Sequence, residues 1–237
     1  MKTKMMLIFI LTFLAISLPD RVQAQPIRNL RERQDDKKNI AADKVAIKDD
    51  GRDLDRLSDL IIKWDNLRQS HADQSALQQV EAQIASELRR DLKEARMDVQ
   101  QAQKEVKQST AEVKKSQREK RHERRDTDHD KKALKDDKRD LRDDKRDRRD
   151  DVRDTKKAEE ILTQKREVAK ELIALQKKID AAGNIGDKAL QEKQSSLLEE
   201  YLKLSRQEIQ LGIRELKEDK QELREDRRET REDRKDR

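Results

Sequence analysis

An all-α protein is predicted, built from two long antiparallel helical hairpins that form a coiled-coil, four-helix-bundle-like protein with highly charged ends. Three observations predict it. First, Asp136–Lys156 is three heptads of one charge pattern, DDKRDLR DDKRDRR DDVRDTK, and residues 216–236 carry a second copy, LKEDKQE LREDRRE TREDRKD. Leu141, Arg148 and Thr155 hold the sixth place in the first copy, and Leu216, Leu223 and Thr230 hold it in the second. Second, apolar residues elsewhere recur at steps of three and four, the period of an amphipathic helix. Third, two Pro and four Gly among 237 residues leave almost nothing to interrupt a helix.

The charge heptad has a mechanical consequence. At about 100° per residue it places acids down one side of a helix and bases down the other, with the sixth-place residue on the seam. Neighbours such as Asp136/Asp140 and Lys138/Arg142 are then like-charged, which costs a lone helix a few tenths of a kcal/mol per pair. Such a helix needs a partner.

Residues 1–24 read as a secretory signal peptide: Lys2 and Lys4, the apolar run Met5–Leu18, then Val22-Gln23-Ala24 as a small-residue cleavage site. The apolar run is 14 residues, short of the roughly 20 needed to span a bilayer. The mature chain is expected to begin at Gln25 and to be periplasmic or secreted, with no transmembrane segment after cleavage. Cleavage lowers the net charge from +6 to +4, because Lys2, Lys4 and Arg21 leave together with Asp20. The chain is therefore a polyampholyte. Absence of Cys suits an oxidising compartment, and export makes nucleic acid an unexpected partner.

Hairpin 1 is expected over 25–128. Its first helix, about 27–68, carries Ile40, Ile47, Leu54 and Ile61 in one heptad line, joined by Leu57, Trp64 and Leu67. Gly51 marks a possible bend, and Trp64 is read as core. Ser70–Gln74 reads as a turn with Asp73 as N-cap. The second helix, about 75–126, carries the stripe Leu77, Val80, Ile84, Leu88, Leu92, Ala95 and Val99. Residues 104–125 then hold nine bases against four acids. They read either as a docking face for anionic envelope polymers or lipid head groups, or as a solvated face beside the acids of a partner helix.

Hairpin 2 is expected over 129–237, with helices at about 130–182 and 188–237. The first carries the charge repeat and then Ile161, Leu162, Val168, Leu172, Leu175 and Ile179. Ala182–Asp187 is the clearest turn, with Gly183 suited to end a helix and Asp187 to cap the next. The last helix carries Leu190, Leu197, Leu204 and Leu211, widened by Leu198, Tyr201, Leu202, Ile209 and Ile213, and ends in the second charge repeat. Folding each hairpin at its turn leaves both apolar near the turn and charged at the open end.

The connection between the hairpins decides the architecture. Asp126–Asp130 holds weak helix formers but no Gly or Pro. A turn near Asp128 closes an up-down-up-down bundle of helices about 75 Å long. A continuous helix there would instead give an extended rod with one central helix of over 100 residues. The bundle is preferred.

The composition is poor in catalytic chemistry, with three His, one Trp, one Tyr and no glycine-rich phosphate loop. Carboxylates are abundant, but flanking bases and solvent are expected to leave them unperturbed. No enzyme activity and no cofactor are expected. One constellation has metal-ligand spacing: His122, Asp126 and His129, at i, i+4 and i+7, which on a continuous helix share a face suited to Zn²⁺, Cu²⁺ or Ni²⁺. Facing Asp rows offer a second, looser place for Ca²⁺.

The functional expectation is an exported, non-enzymatic coiled-coil scaffold, spacer or interaction rod in the cell envelope, with protein partners or self-association through its helices. Two alternatives stand beside it: a periplasmic chaperone or stress adaptor binding client proteins, and a divalent-cation or mineral-binding polyampholyte.

Overall fold

The apolar stripes do bring four helices together. The computed structural model describes residues 24–70, 73–123, 131–182 and 188–235. They form α1 (Ala24–Gln69), α2 (Gln74–Glu123), α3 (Lys131–Ala182) and α4 (Lys188–Lys235), an all-α bundle. Residues 1–23, 71–72, 124–130 and 183–187 lie outside the described residues, and with them nearly all of the expected signal peptide 1–24 and parts of the expected turns. So does the expected Asp187 cap.

Side-chain contacts give the topology. Trp64 on α1 bonds Glu81 on α2, and Asp53 pairs with Arg90. Along α2 and α3 the matched pairs run Glu81/Gln176, Gln103/Glu159, Thr110/Arg148 and Ser116/Asp144. Numbers that rise on α2 as they fall on α3 mean that the two helices run antiparallel and side by side. The central helix of over 100 residues is therefore not formed; α2 and α3 fold back on each other. Gln176/Gln194, Lys165/Glu208 and Asp154/Arg214 pair α3 with α4, and Arg68/Gln191 closes α4 onto α1. Every neighbouring pair is antiparallel, as up-down-up-down connectivity requires.

Two compact units can be delimited. Residues 41–218 form one; the beginning of α1 up to Ile40 and the end of α4 from Asp219 form the other. In the second unit, Ile40 and Leu223 are buried, the sixth-place line turned inward.

The first unit holds the main core. Leu57, Ile61 and Trp64 of α1 meet Val80, Ile84 and Leu88 of α2, Val168, Leu172, Leu175 and Ile179 of α3, and Leu197, Leu198 and Tyr201 of α4. All lie toward the two turns, where burying a Leu or Ile side chain contributes about 1.5–3 kcal/mol. Asp73 accepts from the Ser75 amide at 3.4 Å and starts α2, as its N-cap position requires. Gly51 sits inside an uninterrupted α1, where an added Cβ would meet nothing within 4 Å. Among the described residues no helix is long and apolar enough to cross a membrane.

Candidate functional site: an acidic interior around Lys165

The inward-facing heptad lines change character at one height in the bundle. On α1 the line reads Trp64, Leu57, Asp50, Asp43 and on α2 it reads Leu77, Ile84, Asp91, continuing into the exposed Asp98 and Glu105. On α3 it reads Ile179, Leu172, Lys165, Ala158, Asp151, and on α4 Tyr201, Glu208, continuing into the exposed Glu215. Antiparallel neighbours bring the switch on each helix to the same level. On one side of that level these lines are apolar; on the other they are acidic and run beside a second apolar set that includes Ala95, Val99, Leu162 and Leu211.

Lys165 sits at the switch with no exposed surface. Its ammonium donates to Asp91 Oδ2 at 2.8 Å and to Glu208 Oε2. Tyr201, also fully buried, donates its hydroxyl to the same Asp91 oxygen at 2.5 Å. Its ring centroid lies 5.4 Å from the Lys165 nitrogen, within cation–π reach. Three helices are thus tied through one charge.

Burial alone would push the Lys165 ammonium toward its neutral form. Glu208 and Asp91 outweigh that and hold it above the usual lysine range. Burial lifts Glu208 in turn, opposed by the same ammonium. Two carboxylates facing one cation favour the charged lysine most clearly. Tyr201 is pushed upward by burial and by the Asp91 charge, and stays a neutral donor.

The surrounding acids are crowded. Asp50 is pushed up to about 7 by burial and then by the charges of Asp98, Glu208, Asp91 and Glu94. Asp98 is raised to about 6 by burial and by Glu94. Further along, Glu215 is raised to about 7 by burial and by Asp154, Glu105 and Asp43, one acid from each of the other helices. Within the charge repeat, burial and then Asp143, Asp144 and Asp151 push Asp147 to about 7. Asp154 is only 3% exposed and accepts from Arg214 at 2.8 Å. The expectation that flanking bases and solvent leave these carboxylates unperturbed is therefore corrected: the repeat turns part of its acidic row into the bundle.

Beside Lys165 a cavity of about 20 Å³ is lined by Asp50, Asp91, Ser205 and Glu208 together with Asp53, Glu87 and Arg90. That is room for about one water molecule. Ser205 is 6% exposed and its hydroxyl has no partner.

The predicted metal ligands are not brought into view. His122 lies in α2 without a described side chain, and Asp126 and His129 fall outside the described residues. Among the described residues, no group of three His, Cys, Asp or Glu is arranged to hold a metal ion. Trp64 is core: 1% exposed, donating to Glu81 at 3.1 Å, with the Arg68 guanidinium 4.3 Å from its ring centroid.

Fold and interior together define a closed antiparallel four-helix bundle with a buried lysine–carboxylate layer. No protein-family model matches the chain, and comparison with curated proteins and with solved structures returned no match.

Proposed function

We propose that this chain is an exported, non-enzymatic scaffold, spacer or interaction rod of the cell envelope, acting through protein partners on its charged exterior. One observation carries the reading. The apolar faces of all four helices are spent on one another, and what they offer outward is charge. Among the described residues, the exposed large apolar side chains Val45, Ile62, Met97, Val152, Ile173 and Ile213 are distributed over all four helices. A client-binding chaperone needs contiguous apolar surface, so this distribution supports a scaffold over a holdase. The buried Lys165 layer suits a scaffold too, because a buried ion pair fixes helix register more than it adds stability.

Photo-crosslinking in the native host tests the reading, with the crosslinker placed at the exposed positions Lys63, Arg96, Lys178 and Arg206. A scaffold gives discrete adducts of fixed mass, unchanged by heat stress, in the envelope fraction. A heterogeneous ladder that grows on heating would make the protein a chaperone. Adducts confined to the cytoplasm would remove the export step.

A further inference from the structure

The basic segment of α2 has a neighbour that its sequence does not name. Contacts from Gln103 to Glu159 and from Thr110 to Arg148 define the side of α2 that faces α3. One helical step outward from Gln103 and Thr110 lies the heptad line Lys107, Lys114 and Arg121, every member exposed. On α3, Lys138 and Lys145 lie on the line of Glu159 itself, and Arg149 lies on the next line outward; all three are exposed.

Antiparallel pairing sets these residues opposite one another. Ser116 lies beside Asp144, so Lys114 falls level with Lys145 and Arg121 level with Lys138. The acids of α3 lie nearer the bundle interior, where Asp144 takes up Ser116 of α2 and Asp154 meets Arg214 of α4. The outer lines of the two helices carry bases on both sides, with those acids on the inner side of the seam. Bases of one helix flank bases of the other over about 20 Å, at 1.5 Å per residue. Glu159, at one end, is the acid on these lines, and Gln103 takes it up.

We propose that this two-helix flank binds a linear acidic polysaccharide. The proposal rests on the reading of the bundle as an interaction module and names one partner class for it. Like charges set side by side repel unless a counter-charge lies along them, and a linear polyanion fits a straight flank with rungs every heptad. A membrane surface fits less well. Interfacial binding needs apolar side chains to enter the acyl boundary, and among the described residues Val152, 43% exposed, is the large apolar side chain on these lines. Single-stranded nucleic acid is bound by stacking on aromatic side chains, whereas Trp64 and Tyr201 are both buried in the core.

The test uses the full mature chain and alginate, a linear polyuronate, with neutral dextran as control. Calorimetry at 50 mM salt should show alginate binding that weakens at least about tenfold by 200 mM salt. Lys114→Glu with Lys145→Glu should weaken it by about tenfold or more, while Lys177→Glu with Lys178→Glu, exposed elsewhere on α3, leaves it unchanged. Circular dichroism of both variants should match the parent. Equal weakening by the two variants, or none by the first, overturns the proposal. Tighter binding to phosphatidylglycerol vesicles or to an oligonucleotide than to alginate also overturns it. None of these outcomes alters the crosslinking pattern that tests the scaffold reading.

Discussion

Lys165 Nζ lies 2.8 Å from Asp91 Oδ2 inside a bundle where the lysine has no exposed surface. The pair joins α3 to α2, Glu208 extends it to α4, and Tyr201 locks the shared carboxylate. Removing one member of such a group leaves an uncompensated buried charge. Lys165→Ala is expected to destabilise the bundle by about 3–5 kcal/mol, read from the urea midpoint. Replacing all three charged members by apolar residues of similar size should cost far less. A loss below about 1 kcal/mol for the single variant would mean that the layer is wet.

Stability should also depend on pH with a definite sign. Asp50, Asp147 and Glu215 are held at about 7 and Asp98 at about 6 in the folded chain, against ordinary values of 3.8 for Asp and 4.5 for Glu. Between about pH 4 and 7 the folded state keeps protons that the unfolded chain has released, so stability falls as pH rises. Below about pH 4 both states are protonated, and above about pH 8 both are ionised, so the slope vanishes at each end. Asp50→Asn and Asp147→Asn should raise the thermal midpoint more at pH 8 than at pH 5. A midpoint that climbs from pH 5 to pH 8 in the parent chain would contradict this.

Trp64 is the one tryptophan and is 1% exposed. Its fluorescence should be blue-shifted in the native chain and should report unfolding of residues 41–218 as one transition. Trp64→Ala is expected to cost about 3–5 kcal/mol by cavity formation, seen as a lower urea midpoint by circular dichroism. Red-shifted native emission would place the indole in water.

Amide exchange should divide the helices by their interiors. The apolar cluster protects Leu77–Val99 and Val168–Ile179, so those amides should exchange slowly. Residues 138–153, packed through acids and long basic side chains, should open readily, because exposed ion pairs contribute at most about 1 kcal/mol each. Uniform protection along α3 would show that the charge repeat packs as firmly as the apolar end.

Much of this architecture was readable from periodicity. The apolar lines through Ile61, Ile84, Leu172 and Leu204 define one buried face per helix, and Asp73 marks the start of α2 as its cap. The connection between α2 and α3 was harder. The phase of Val99, Val106 and Val113 continues through Thr127 to Leu134 and Leu141, so periodicity alone cannot tell one helix from two in register. The Lys165 layer was missed for a related reason. Each line carried its signal, a lysine after Ile179 and Leu172, and acids after Ile84 and after Leu57. What brings Asp91, Lys165 and Glu208 to one level is the shift of each helix against its neighbours. Loop lengths and core packing decide that shift, and no pattern within a single helix encodes it.

The fold-back of α2 on α3 supports both the closed bundle and the basic flank, and one distance tests it. The chain has no Cys, so Lys114→Cys with Lys145→Cys gives a unique pair of spin-label sites. Packed helices lie about 8–10 Å apart axis to axis, so labels on outward side chains should be roughly 15–25 Å apart by pulsed electron resonance. A single peak in that range is the predicted result. A peak near 45 Å, the span of the intervening residues in one continuous helix at about 1.5 Å each, would contradict the bundle and the flank together.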